Sequence, residues 1–358
     1  MKKNLIALFL AALMLFSVSA CSSGETEDAS TTPPASSAPV EPSQTVPEEE
    51  VQPTEVTITD QAGREVTVGE VNSTVICWYM ANDFVLALDK ADTLIAIGPY
   101  DDFQALVAPQ LTQLDTAGRG KPDLEKLAAL NPDLFIHRVS DPENLEACDE
   151  LGIPAIAIAP ETAEETMDAL MIIGQALGVP ERAEMLIDYY NSIVDIAKAG
   201  TANVPEDEKH TFLILGSDLG YVASDAMMQA QMIDLGGGIN MAADVTDSNS
   251  WTDIGTEQIF AYDPEFLFIS STANFTVDDI MNDSAWADLT AVKNGNVYAV
   301  PSTLHAWENL GLSPCIGSVW AMSVMYPDAI TQEKLDEIVT DFYKTVYNLD
   351  VDREFLGY

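Results

Sequence analysis

One short pattern occurs twice in this chain, and it restricts the fold more than any other feature. Residues 123–136 and 256–269 read alike: at an offset of 132 positions Glu125 falls on Glu257, Leu127 on Ile259 and Ala129 on Ala261. The same offset places Asn131-Pro132-Asp133 on Asp263-Pro264-Glu265, and an apolar run follows each. Each copy is expected to be a short helix that stops at an Asn/Asp-Pro turn and enters a buried strand. The residue before proline is pushed out of the right-handed helical region, and proline has no N–H for a ladder, so the pair marks a boundary. One recurrence at this distance is too wide for a solenoid. It fits two similar lobes, each an α/β unit with its own core.

The remaining elements fit that plan. Val56 to Val68 alternates β-branched and polar residues around Gly63, which predicts a hairpin. Ser73–Cys77, Leu94–Ile97, Ile153–Ala159, Phe212–Leu215 and Val297–Val300 are short apolar runs expected to be buried strands. Helices are expected over 80–89, 142–151, 162–177, 227–235, 286–292, 315–325 and 331–347. The segment 181–198, opened by Pro180, predicts a helix spanning roughly 27 Å between the lobes. The fold class is therefore α/β: two Rossmann-like lobes with mainly parallel sheets, joined by one long helix. The expected division is a signal peptide at 1–20, a tether at 21–54, an N-terminal lobe at 55–178, a connecting helix at 179–200 and a C-terminal lobe at 201–358.

The N-terminus has Lys2-Lys3, an apolar run from Leu5 to Val18, and Val18-Ser19-Ala20-Cys21. This is the layout of a secretory signal, and its end resembles the lipobox of bacterial lipoproteins, whose cysteine carries the lipid. The segment after Cys21 is rich in Ser, Thr, Pro and acids and carries no base up to residue 55, a composition that cannot bury a core. The expected location is extracytoplasmic, with attachment to the membrane only through lipidated Cys21.

The net charge is −43, with 58 acidic against 15 basic residues. Such a field repels phosphate backbones and argues against a nucleic-acid partner. Cys77, Cys148 and Cys315 show no CxxC spacing and read as separate buried thiols. No GxSxG or HExxH motif is present, which argues against the corresponding enzymes. Gly236-Gly237-Gly238 follows a helix and lacks the lysine of a phosphate loop.

In open α/β sheets a ligand sits beyond the carboxyl ends of the strands. For two facing lobes this selects Trp78, Tyr79, Met80, Tyr100, Arg119, His137 and Arg138 from the first. From the second it selects Asp218, Tyr221, Trp251, Ser271, His305 and Trp307. Only five arginines exist, and two lie in this set, a concentration suited to a ligand carboxylate or phosphate. Trp251 and Trp307 serve equally well as caps over the lobe cores, and His137 reads better as a satisfied strand-end histidine than as a ligand. His210 begins a strand and should lie far from the cleft.

The segments Asp60–Val68, Glu125–Asp133, Leu151–Pro154, Asp234–Gly237 with Asn240, and Trp286–Tyr298 occur here in an order that resembles a known family. It is the family of substrate-binding lipoproteins of ABC importers for iron–siderophore complexes, haem and cobalamin. The resemblance implies a monomeric carrier, not an enzyme, that closes modestly over its cargo and delivers it to a permease dimer with its ATPase. It implies no cofactor, and Glu125 and Glu257 as the pair that docks on two equivalent permease arginines. An iron–siderophore or related metal chelate is the leading cargo. Haem or cobalamin is the alternative, with Tyr79, Met80, Tyr221 or His305 as a candidate axial ligand. A secreted enzyme or a sensory binding module is a more distant reading.

Overall fold

A computed structural model describes residues 55–246, 248–353 and 356–358. The readings of residues 1–54 as signal, lipidated Cys21 and tether lie outside the described residues. The chain begins with the antiparallel pair Val56–Thr59 and Glu65–Val68. Asp60, at its turn, is buried and explains why this segment is so particular. One carboxylate oxygen accepts the N–H groups of Ala62 and Arg64, and the other accepts that of Ala157 at 3.0 Å. The turn is thereby fastened to the edge strand Ala155–Ile158.

The N-terminal sheet has five parallel strands in the order Asp115–Thr116, Leu94–Ile97, Thr74–Ile76, Leu134–Arg138, Ala155–Ile158. The strand order reverses between Thr74–Ile76 and Leu134–Arg138. Crossovers on the two sides of that reversal lead away in opposite directions and leave a crevice at the carboxyl ends. Both central strands are apolar on both faces because helices cover both.

The second sheet follows the order Thr252–Asp253, Tyr221–Val222, Thr211–Leu215, Phe266–Ile269, Val297–Ala299, and Ile239–Asn240 also pairs with Thr211–Leu215. Its pairings are parallel except where Tyr221–Val222 joins Thr211–Leu215 and Thr252–Asp253. The expected architecture of two α/β lobes with mainly parallel sheets is what the chain adopts.

The repeated pattern is structurally repeated as well. Helices Leu124–Leu130 and Thr256–Tyr262 end on Asn131 (φ 43°, ψ 60°) and Asp263 (φ 44°, ψ 59°). The residue before proline thus leaves the right-handed helix for the left-handed region rather than for an extended one. Asn and Asp tolerate that region best among non-glycine residues. Leu127 and Ile259 are the fully buried anchors of the two helices. The acid after each proline performs one job twice. Asp133 accepts the backbone N–H groups of Asn72 and Ser73, and Glu265 accepts that of Thr211, so each pins the start of its neighbouring central strand. The Ser73 hydroxyl, with those N–H groups, holds the Asp133 carboxyl below its ordinary range.

Helix Pro180–Thr201 connects the lobes. The final helix, Gln332–Tyr347, does not stay with the sheet that precedes it. Arg182 donates both to the carbonyl of Ala87, in the N-terminal helix Met80–Ala87, at 2.8 Å and to that of Val346 at 3.0 Å. The ring of Tyr347 meets Phe103, of helix Asp102–Val107, edge-on at 5.0 Å. One apolar cluster therefore runs through both lobes. The three described cysteines are unpaired and buried, and burial pushes the Cys77 thiol up to about 12 and that of Cys148 to about 11. Gly236–Gly238 follows helix Met228–Leu235 against the core. A Cβ on Gly238 would lie 2.6 Å from the Phe212 ring, so close packing accounts for glycine there.

Candidate functional site

The crevice of the N-terminal lobe is built by a two-residue ribbon laid across the switch point. Gly118–Arg119 pairs antiparallel with Lys121–Pro122, and Gly120 forms the tip. The tip is clamped on both sides of the reversal: the N–H of Gly120 donates to the carbonyl of Cys77 at 2.8 Å, and Arg138 donates to the carbonyl of Gly120 at 3.0 Å. Gly120 has φ +73°, where a side chain would be strained. This clamp sets the Arg138 guanidinium against Gly120, the residue that follows the exposed Arg119. The other three arginines are engaged elsewhere: Arg64 with Asp60 and Asp149, Arg353 with Asp336, Arg182 with two carbonyls. Arg119 and Arg138 have no carboxylate within ion-pair distance among the described residues.

Trp78, Tyr79 and Met80 follow Cys77 at the end of strand Thr74–Ile76 and are half-buried, and Tyr100 follows Leu94–Ile97 and is 41% exposed. The backbone carbonyl of Tyr79 accepts from Gln104, whose amide also donates to Asp83 at 2.7 Å. Burial, and then the charges of Asp83, Asp101 and Glu308, raise the Tyr79 hydroxyl above its ordinary range. Tyr79 therefore stands where groups from both lobes converge.

At the facing strand ends, Asp218 accepts from Asn274 at 2.6 Å, Tyr221 is half-buried on its short strand, and Ser271 is exposed. Trp251 lies over the end of strand Thr211–Leu215; a Cβ on Gly216 would come within 2.5 Å of its ring.

Three residues expected in the cleft lie elsewhere. His137 is fully buried within its strand, bonded to Asp141 at 3.0 Å and stacked on Phe135, and desolvation lowers its pKa. Strand alternation turns it into the covered face, so it cannot line an open cleft. Trp307 is 1% exposed and donates its indole N–H to the Tyr343 hydroxyl at 2.9 Å. His305 is a rivet between the lobes. It lies flat on Phe103, centroids 4.3 Å apart and planes 10° apart, and its Nε2 is 3.2 Å from Asp83 Oδ2. Its Nε2 is thereby engaged, and the ring is buried between the lobes.

Glu308 was not singled out from the sequence, because one acid among 58 has no compositional signal. It is fully buried at the end of strand Phe266–Ile269. Its Oε1 accepts from the Ser270 hydroxyl, the Ser271 N–H and the Ser271 hydroxyl at 2.7, 2.6 and 2.9 Å. Its Oε2 meets no partner among the described residues. His210 lies at the opposite end of the sheet, against Glu265 and Tyr326, as expected.

Two α/β lobes, one connecting helix and facing strand ends with aromatic and basic side chains define a two-lobe solute receptor of the kind that serves ABC importers. The chain belongs to the periplasmic binding protein family, whose model matches residues 81–304. It is 23% identical over 319 residues to the molybdate-binding protein MolA of Haemophilus influenzae, covering 81% of this chain and 90% of that one. It is 26% identical over 249 residues to the Fe(3+)-citrate-binding protein YfmC of Bacillus subtilis, covering 67% and 76%. Among solved structures, a periplasmic solute binding protein from Veillonella parvula superposes with a TM-score of 0.73 at 25% identity, covering 85% of this chain and 97% of that one. This family places the working protein outside the cytoplasm.

Proposed function

We propose that the protein captures an anionic metal chelate, of the iron–siderophore or metal–carboxylate kind, between its lobes and delivers it to an ABC permease. The observation that carries this is that Arg138, bonded to the Gly120 carbonyl, and Arg119, the residue before Gly120, both lack a carboxylate partner among the described residues. In a chain with 58 acids, two guanidinium groups free of carboxylates suit an anion supplied from outside. Trp78, Tyr79, Tyr100, Tyr221 and Trp251 add aromatic surface for the ligand's rings. Relatives named for ferric citrate, molybdate and vitamin B12 support a metal-containing anion or chelate over a sugar or peptide.

The test is a thermal and chemical stability panel with ferric citrate, ferric siderophores, cyanocobalamin, haemin and molybdate. A true ligand at about 100 times its Kd should add about 2.7 kcal/mol. Stabilisation by haemin or cyanocobalamin alone would move the assignment to a tetrapyrrole carrier, and silence across the panel would sink the cargo class.

Glu125 and Glu257 are both exposed in the first turns of the two equivalent helices. We assign them to the permease contact, one acid per lobe for two equivalent basic sites. The double variant Glu125→Lys/Glu257→Lys should bind its ligand with unchanged affinity and lose uptake about tenfold or more. Normal uptake by cells carrying it would remove both residues from the docking surface.

A further inference from the structure

Gln104 lies on helix Asp102–Val107 and is fully buried, yet both polar atoms of its side chain are used. Its amide nitrogen donates to the Tyr79 carbonyl at 3.0 Å and to Asp83 Oδ1 at 2.7 Å, and its amide oxygen accepts from Asn82 Nδ2 at 3.1 Å. A backbone carbonyl only accepts, so the amide nitrogen must face Tyr79 and the amide oxygen is left for Asn82. From here the network branches. Asn82, also fully buried, reaches on to the Pro99 carbonyl at 3.3 Å, and the second oxygen of Asp83 meets His305 Nε2 of the C-terminal lobe at 3.2 Å. The main chain of Gln104 is fixed as well, its N–H donating to Asp101 Oδ1 at 2.8 Å. Tyr79 and Pro99 stand just beyond the carboxyl ends of Thr74–Ile76 and Leu94–Ile97. A side chain at Gly98 would collide with the Cys77 carbonyl, so these two strand ends meet backbone to backbone. One side chain thus ties the segment carrying Trp78, Tyr79 and Met80 to the segment carrying Tyr100, and both, through Asp83, to the opposite lobe.

We infer that Gln104 is a positioning residue of the cleft: it touches no ligand itself and sets where the Trp78–Met80 and Pro99–Tyr100 segments stand relative to each other and to the C-terminal lobe. These segments have few other ties. Among the described residues, the Asn82 amide is the one hydrogen-bond partner of Pro99 and Tyr100. The Trp78 and Tyr79 carbonyls otherwise accept only from Ala81 and Asn82, the local bonds that open helix Met80–Ala87. Those local bonds fix a turn and leave its direction free. The glutamine supplies the direction, because an amide with both N–H groups and its oxygen engaged in a closed environment admits one arrangement of its partners. A side chain without that amide would leave the Tyr79 carbonyl, Asp83 Oδ1 and the Asn82 amide to find new partners, and the aromatic side of the cleft would shift with them. This role rests on the cleft between the lobes being the ligand site.

Gln104→Met tests it, because methionine keeps the volume and removes all three side-chain bonds. The control is Leu335→Ala, which empties a core position of the last helix, Gln332–Tyr347, and also lowers stability. Ferric citrate, a ferric catecholate siderophore, cyanocobalamin, haemin and molybdate are titrated singly into the full wild-type chain and both variants, at a temperature where all three are folded. For whichever probe binds wild type, Gln104→Met should lose about tenfold or more in affinity, and Leu335→Ala should stay within about threefold. Equal losses in the two variants, or none in Gln104→Met, overturn the proposal. Fluorine NMR of the ligand-free chain labelled with 3-fluorotyrosine gives a second, cargo-independent readout, with Tyr79 and Tyr100 assigned by substitution with phenylalanine. Both signals should shift or broaden in Gln104→Met and stay in place in Leu335→Ala. Unmoved Tyr79 and Tyr100 signals in Gln104→Met overturn the assignment. If Gln104→Met does not fold, Asn82→Ala takes its place, since it cuts the branch to Pro99 and keeps the bond from Gln104 to Tyr79. It should move the Tyr100 signal, and an unmoved Tyr100 signal overturns the role. If no probe binds wild type, the cargo reading fails and the fluorotyrosine signals alone decide the role of Gln104.

Discussion

Replacing Phe103 with alanine should destabilise the folded body by about 3–5 kcal/mol, the range for deleting a large, fully enclosed aromatic. The reason is where its neighbours come from. Phe103 belongs to the N-terminal helix Asp102–Val107, yet its ring touches His305 face to face, Tyr347 edge-on at 5.0 Å and Tyr343 edge-on at 5.8 Å. Removing it opens a void that neither lobe can fill alone, and it leaves His305 with its bond to Asp83 and an edge-on contact with Tyr347. Phe103→Leu should recover more than half of the loss. Urea unfolding followed by both fluorescence and circular dichroism is the appropriate measurement. A cost below about 1 kcal/mol would mean that the lobes are not joined through this seam.

The second large effect concerns binding. Arg119→Ala combined with Arg138→Ala should weaken the affinity for an anionic chelate by about 100-fold or more, since a hydrogen bond to a charged group contributes about 1.5–3 kcal/mol. The single variants need not add, because both guanidinium groups address one ligand and share the Gly120 clamp. Arg138→Ala also deletes the bond to the Gly120 carbonyl, so part of its effect is the loss of the ribbon's position. Arg119→Lys and Arg138→Lys separate charge from geometry: lysine restores the charge without the planar fork. Calorimetric titration of the ligand found in the stability panel checks this. A double variant that binds within threefold of wild type would place the anion elsewhere.

Much of the architecture is legible in the residues because it is local. The Asn131-Pro132-Asp133 and Asp263-Pro264-Glu265 turns, the buried runs and the proline-opened connecting helix each act over a few positions. The structure places them where those signals point. Helix Asp102–Val107 is six residues long and too short to show a period. Its one available sign was Asp101, whose carboxylate caps the N–H of Gln104 at 2.8 Å. Similarly, Trp286 precedes helix Thr290–Asn294 and is not within it, since five residues of helix carry little pattern.

The site was legible only by location. Strand ends could be found, and with them Trp78, Tyr79, Arg119 and Arg138, but the direction of a loop side chain depends on partners far away in sequence. His305 and Asp83 are 222 positions apart, and Trp307 bonds a tyrosine on the last helix. No property of His305 or Trp307 in isolation distinguishes a rivet from a ligand contact. Glu308 was hidden for the opposite reason: an acidic chain makes every acid look ordinary, and only burial without a second partner sets it apart.

The return of helix Gln332–Tyr347 to the N-terminal lobe also constrains the order in which this protein can be finished. Phe103 and the Ala87 carbonyl belong to a stretch that is made early, yet Tyr347 and the Val346 carbonyl that shares Arg182 come far later in the chain. Contacts separated by so many residues carry a large closure cost and form late. A chain still being synthesised, or still being threaded through a membrane, therefore holds an early lobe whose flank stays open. The later segment is the one that seals the earlier.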